Sequence, residues 1–159
     1  MRIKDIPNAT PDEILHNLLD VLTSLRNGHF TTHMEDGFPG IYGEIAKVLN
    51  GHLDQMKALA EEHHRLMEEV GVTGRLGGQM EVGGLTGGWK RMLEDVNQMG
   101  ANVTCQFRDG GNVVRDLLHG ELSVRMTAHN IQGEFAEFRR HLNKLADEFE
   151  QRSAEMAKA

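Results

Sequence analysis

A glycine-led pattern that recurs at a fixed spacing constrains the fold of this chain more than any other sequence feature. Gly28, Gly74 and Gly120 lie 46 residues apart, and each opens a segment that reads glycine, any residue, an apolar residue, three further residues and methionine. In each copy a second glycine and an aromatic residue follow, before a helix-like run that ends in an apolar residue and an asparagine. The second glycines are Gly40, Gly87 and Gly133, and the asparagines are Asn50, Asn97 and Asn143. Fixed-period similarity is typical of repeat architectures, so we interpret the chain as three copies of one repeat.

The recurring segment is predicted to be a connector that packs against neighbouring helices. Its two apolar residues are four positions apart in every copy, and this recurrence argues against a disordered linker. We therefore predict six connector packing anchors and three connector glycines. The anchors are Phe30, Met34, Leu76, Met80, Leu122 and Met126, and the glycines are Gly28, Gly74 and Gly120.

Long amphipathic helices are predicted on both sides of each connector. All three prolines lie within the first 39 residues, so the rest of the chain is free to form long helices. The first helix is expected to begin with Thr10 as N-cap, with Pro11 at its first position and Glu13 completing a capping box. Helices are also expected over about 43–70, over 89–119 and from 135 onwards. The first two of these are too long for one repeat, so we interpret each as shared between successive repeats.

The apolar stripes of these helices predict a homodimer. Two short helices and a connector cannot enclose a core alone, and a second copy would complete a four-helix bundle. Steps of four inside the heptad spacing of the 89–119 helix are stutters, which stacked bundles with differing helix phase would require. The predicted dimer core consists of Leu18, Val21, Leu25, Leu49, Val96, Val103, Leu117, Phe138, Leu142 and Leu145.

Composition excludes several classes of protein. The net charge is −7 and no basic run is present, which argues against nucleic-acid binding. No apolar stretch approaches the roughly 20 residues of a membrane span, and the N-terminus lacks the apolar core of a signal peptide. The single cysteine, Cys105, is typical of a reducing compartment. We therefore expect a soluble, cytoplasmic protein without membrane insertion.

The connector pattern between two amphipathic helices resembles that of HAMP domains, the relay modules of chemoreceptors and sensor kinases. The resemblance covers residues 10–150, and the segment 74–99 looks closest to the poly-HAMP arrays of soluble hybrid sensor histidine kinases. It implies an all-α fold of three consecutive HAMP-type parallel four-helix coiled-coil bundles, stacked end to end in a homodimer. The repeats would cover 10–56, 57–103 and 104–150, with helices shared across the junctions. It also implies that the connector anchors dock into the bundle and that Glu134 makes a helix-start contact with backbone near the end of the preceding helix.

Catalytic, cofactor and metal sites are not predicted. His29 and His33 lie in a connector, His63 and His64 are adjacent, and no Cys-x-x-Cys or His-Glu-x-x-His motif is present. Cys105 lacks a nucleophile pattern, and the glycines of 71–88 lack the Gly-Lys-Ser/Thr of a phosphate loop. No proline follows His141, unlike the phosphoacceptor histidine of a histidine kinase. We interpret the histidines as structural or solvated.

The function predicted from these observations is a non-enzymatic signal relay. It would pass conformational change between an input and an output domain, covalently linked or separate, of a bacterial-type sensor kinase or chemoreceptor in a two-component system. A static coiled-coil dimerisation scaffold or adaptor is the main alternative, because it needs the same apolar seam. A helical metal or haem carrier is a third hypothesis, and an enzyme is the least favoured class.

Overall fold

The computed structural model describes residues 6–127 and 132–158, apart from the side chain of Pro7, and every regular element in these ranges is helical. The prediction of an all-α protein is therefore confirmed. After a short 3-10 turn at Ile6–Asn8, four α-helices follow in chain order, with a π-helical turn at Glu68–Val72 directly after the second. The helices are α1 (Pro11–Arg26), α2 (Ile41–Met67), α3 (Gly87–Leu118) and α4 (Gly133–Met156).

The ends of α1 are determined by local sequence. The Glu13 N–H donates to the Thr10 hydroxyl at 3.3 Å, and the Thr10 N–H donates to the Glu13 carboxylate at 2.8 Å, which completes a capping box. At the other end the Gly28 N–H donates to the Leu25 carbonyl and the His29 N–H to the Ser24 carbonyl, both at 2.9 Å. This is a Schellman motif, and it directs the chain away from the helix and into the first connector.

The π-helical turn after α2 corrects the expectation of one regular helix over 43–70. The wider turn accommodates one extra residue, which shifts the helix face that meets the following connector. Leu59 and Leu66 are buried 15 and 8 residues before Gly74, whereas Ile14 and Val21 are buried 14 and 7 residues before Gly28. The extra residue keeps the buried face of α2 aligned with its connector.

The chain divides within α3 into two compact regions, one up to Glu94 and one from Asp95 onwards. The core of the N-terminal region joins α1, the first connector and α2, and each fully buried large apolar side chain in it contributes about 1.5–3 kcal/mol. Its buried residues are Ile14, Val21, Met34, Phe38, Ala46 and Leu53.

The C-terminal region has a smaller core, in which Val113 of α3, Met126 of the third connector and Leu142 of α4 are buried together. A Cβ added to Gly110 would lie 2.7 Å from a ring carbon of Phe138, so the absent side chain leaves room for the Phe138 ring of α4 against α3. None of the helices in the described residues combines the length and apolarity needed to cross a membrane.

Candidate functional site: the docked connectors

The second apolar anchor of every connector is buried, whereas the first is only half-buried. Met34, Met80 and Met126 are 3%, 3% and 2% exposed. Phe30, Leu76 and Leu122 are partly accessible. The methionine is therefore the main point at which each connector docks, and its unbranched, flexible side chain suits an irregular pocket between helices.

An asparagine on the following helix holds the backbone of the docked methionine in the first and third repeats. The Met34 N–H donates to Asn50 Oδ1 at 2.8 Å, and Asn50 Nδ2 donates to the Met34 carbonyl at 3.0 Å. Asn143 makes the same two bonds with Met126, at 2.7 and 3.2 Å. A primary amide carries one donor and one acceptor in the arrangement that a peptide group needs, so one side chain satisfies both backbone groups. The asparagine recurs in the sequence pattern, but that pattern alone did not indicate its role.

A polar side chain on the preceding helix accepts a hydrogen bond from the residue after each methionine. The three bonds each measure 3.2 Å, and they run from Glu35 N–H to Asn17 Oδ1, from Glu81 N–H to Glu62 Oε2, and from Thr127 N–H to Asp109 Oδ2. Each connector is thus bound on the side of its preceding helix. Sequence reasoning missed these acceptors, although Asn17 interrupts an otherwise apolar stripe.

The residue before the methionine forms an ion pair with the following helix in the third repeat. Arg125 lies 2.7 Å from carboxylate oxygens of both Asp147 and Glu150, and it donates to the carbonyls of Leu122 and Val124 at 2.7 Å. Hydrogen bonds that the Arg125 guanidinium donates to Glu150 and Asp147, together with the negative charge of the two carboxylates, raise the pKa of that guanidinium. The third connector is therefore held by a permanently charged side chain.

His33 occupies the same position in the first repeat. Its Nε2 lies 2.9 Å from Asp54 Oδ1, and its Nδ1 lies 3.2 Å from the Thr31 carbonyl oxygen. Asp54 and Asp147 each follow the clamping asparagine by four residues, so they lie one helical turn further along the same face. The His33 ring therefore bridges the connector and α2, which agrees with the structural one of the two roles predicted for the histidines.

The second connector is held by a charged cluster that α2 and the following π-helical turn contribute. Arg65 lies 2.8 Å from a Glu62 oxygen and 2.9 Å from a Glu69 oxygen, and it donates to the Gln79 carbonyl at 2.6 Å. The hydrogen bond from Arg65, followed by the one from the Glu81 N–H, lowers the pKa of the Glu62 carboxyl. Glu62 thus links Arg65 to the connector backbone.

The predicted connector glycines all have a left-handed backbone. The φ angles of Gly28, Gly74 and Gly120 are 80°, 68° and 89°, a region that disfavours any residue with a Cβ. A Cβ at any of the three would meet nothing within 4 Å, so conformation rather than space requires glycine here.

Glu134 is exposed at the start of α4, and its predicted contact with the end of the preceding helix stays a prediction. The Gly120 N–H donates to the Leu117 carbonyl and the Glu121 N–H to the Asp116 carbonyl, both at 3.0 Å. The end of α3 is thus capped by its own carbonyls.

The residues predicted for the dimer core differ in exposure within one chain. Val21 and Leu142 are buried, and Phe138 and Leu145 are 46% and 44% exposed. The other six are half-buried, namely Leu18, Leu25, Leu49, Val96, Val103 and Leu117.

A wide apolar face of α1 and α2 is left uncovered, and sequence reasoning missed it. Its exposed members are Leu15, Leu19, Leu22, Ile41, Ile45 and Val48. Between the two helices lies an apolar groove of about 530 Å³, to which half-buried Leu18 and Leu49 also contribute. Heptad spacing selected one narrow seam, whereas the apolar face of α1 is wider and also includes Leu15, Leu19 and Leu22.

Comparison with known protein families gives a match to the part of the chain that contains the third connector. The model of the HAMP domain family matches residues 84–151, a range that includes α3, the third connector and most of α4. No solved structure gives a significant match to the chain. HAMP domains are non-catalytic modules that relay signals within sensor proteins. The match at residues 84–151 is consistent with a HAMP domain there, as the connector resemblance predicted.

Proposed function

We propose that the chain relays signals through three consecutive HAMP-type repeats, at 10–56, 57–103 and 104–150. One observation carries this proposal: the first and third repeats hold their connectors by the same pair of hydrogen bonds between an asparagine and a buried methionine. The family model matches only the part of the chain that contains the third. The first repeat docks its connector in the same way, at the spacing of the sequence repeat. This likeness supports extending the HAMP assignment from the third repeat to the first.

The proposed working form is a parallel homodimer of stacked four-helix bundles. The exposed apolar residues of α1 and α2 support it, because contiguous apolar surface of this kind is unfavourable in water and marks an interaction site. A second copy would cover the groove lined by Leu22, Ile45 and Val48. The six half-buried residues of the predicted dimer core would then complete the seam, together with Phe138 and Leu145.

In this proposal the docked connector couples the two helices of each repeat. Asn17 and Asn50 hold consecutive backbone groups of the first connector from opposite sides, so a rotation of either helix pulls on the other. A relay needs two packings of similar free energy, between which an input can shift the population. Input and output domains of a sensor kinase or chemoreceptor would be joined to the two ends, with the output helix continuing beyond Phe149. The chain itself would carry out no catalysis.

The first experiment is a solution mass by light scattering, combined with oxidative crosslinking through Cys105. We expect twice 17.8 kDa, and a Cys105–Cys105 disulfide would indicate parallel copies in matching register. A monomer would contradict the dimer, and with it the relay. The relay is then tested in a receptor chimera, where Met126→Ala or Leu122→Ala should shift the output state. A crosslinking pattern that does not change with the input would indicate a static scaffold instead.

A further inference from the structure

The ring of His33 has a hydrogen-bond acceptor opposite each of its two nitrogens. Its Nε2 lies 2.9 Å from Asp54 Oδ1, and its Nδ1 lies 3.2 Å from the carbonyl oxygen of Thr31. A neutral imidazole carries one N–H group and one lone pair, so it can donate to only one of these oxygens, and the other oxygen then faces the lone pair. The imidazolium carries an N–H group on both nitrogens. Only the protonated ring therefore satisfies both contacts at once.

The charges around the ring are mostly negative. Titratable groups from all three surrounding elements lie on the connector-facing side, because Asp20 is one helical turn beyond Asn17 on α1 and Lys57 is one turn beyond Asp54 on α2. These groups are Asp20 of α1, His29, Glu35 and Asp36 of the connector, and Asp54 and Lys57 of α2. Lys57 Nζ lies 3.9 Å from Glu61 Oε1. A positive ring is therefore attracted to its surroundings rather than repelled by them.

The residue before the docked methionine has a fixed charge in the other two repeats, where it is Gln79 or Arg125. Arg125 makes contacts of the same kind as His33. It lies 2.7 Å from an oxygen of Asp147 on the following helix, and it donates to the connector carbonyl of Leu122 at 2.7 Å. A carboxylate and a connector carbonyl thus bind a cation in both repeats. Histidine differs from arginine because its charge changes between about pH 5 and pH 8.

We propose that His33 is a proton-binding site that makes the docking of the first connector depend on pH. At the acidic end of the range in which histidine titrates, the imidazolium links the Thr31 carbonyl to Asp54 and reinforces the bonds between Asn50 and Met34. As the pH rises through that range, the ring loses one proton, keeps one of its two hydrogen bonds and loses the ion pair. The first repeat therefore responds to pH, whereas the third does not. This response requires neither dimerisation nor a signalling role.

The test is hydrogen exchange at the Met34 amide, whose N–H the Asn50 side chain binds. Its protection factor, which is corrected for the intrinsic exchange rate at each pH, should fall by about two- to fivefold between about pH 5.5 and about pH 8, as expected for a solvent-exposed ion pair. The Met126 amide of the same molecules is the internal control, because Asn143 binds it in the same way. A fall of equal size at both amides would overturn the proposal.

Variants of His33 separate the charge of this ring from other effects of pH. Protection at the Met34 amide should stay high at both pH values in His33→Arg, which keeps a positive charge, and low at both in His33→Gln, which carries none. Asp54→Asn should reduce the pH response, whereas Glu148→Gln, at an exposed position of α4, should leave it unchanged. The proposal is wrong if protection in the parent does not change with pH, or if His33→Gln responds as strongly as the parent.

Discussion

The first and third connectors share one docking geometry but differ in how firmly charge holds them. Both place a buried methionine against the helices, and both clamp its backbone with an asparagine amide. In the third, Arg125 reaches two carboxylates with a charge that does not depend on pH. In the first, His33 reaches only Asp54, and the pair is ionic only when the imidazole is protonated. The comparison teaches that the methionine and asparagine determine where a connector docks, whereas the residue before the methionine adjusts how strongly.

The largest expected effect comes from removing the shared anchor. Met34→Ala and Met126→Ala each delete a buried side chain and leave a cavity, which should lower the free energy of unfolding by about 2–5 kcal/mol. Urea denaturation followed by circular dichroism would measure this loss. Met156→Ala, at a position that is 74% exposed, is the control and should leave stability nearly unchanged. A loss confined to one of the two buried positions would contradict the equivalence of the two connectors.

The asparagine clamp should have the next largest effect. Asn50→Ala and Asn143→Ala leave the N–H and carbonyl of a methionine without their partners, and each should destabilise by about 1–3 kcal/mol. Hydrogen exchange should accelerate at the Met34 or Met126 amide in the matching variant. Asn112→Ala, on the exposed surface of α3, is the matched control. Unchanged exchange at these amides would show that the clamp does not hold the connector.

Substitution of the residue before each docked methionine should have a smaller effect on stability, and this effect should differ between the first and third connectors. Arg125→Gln removes two ion pairs of a largely solvent-facing cluster, so we expect a loss of no more than about 1 kcal/mol, which weakens as salt is added. His33→Gln removes one pair, with a single carboxylate, and should lower the free energy of unfolding by less. Thermal denaturation at low and high salt would compare the two variants. If His33→Gln lowered stability at pH 7.5 as much as Arg125→Gln or more, this would contradict the proposal that charge holds the third connector more firmly than the first.

The smallest expected effect is a pH dependence at the second connector. The folded state lowers the pKa of Glu62 below its ordinary value of 4.5, so the ionised carboxylate stabilises the fold. This contribution is complete above the ordinary pKa and is lost as the pH falls through the lowered folded value. Acid titration of stability should therefore be less steep in Glu62→Gln than in the parent, with Glu61→Gln as an exposed control. Identical titrations of parent and Glu62→Gln would contradict the role of this carboxylate.

Some features of the connectors follow from the sequence because they depend on local chemistry. The helix start at Thr10 needs only the capping box, and the left-handed turns at Gly28, Gly74 and Gly120 need only a residue without a Cβ. Other features depend on contacts between distant segments. Asn17 and Asn50 are 33 residues apart in the sequence. Only the folded structure shows that they bind two adjacent connector residues, Glu35 and Met34.

The sequence by itself determined the helical class, the repeat of 46 residues and the HAMP resemblance, because periodicity and turn chemistry are properties of the chain alone. The tertiary structure decided which face of each helix the connector covers. Both Ile14 and Leu15 are apolar, yet only Ile14 is buried, because the connector and α2 cover only one side of the apolar face of α1. It also decided the alignment of the second repeat, where a π-helical turn absorbs one residue that heptad spacing cannot reveal.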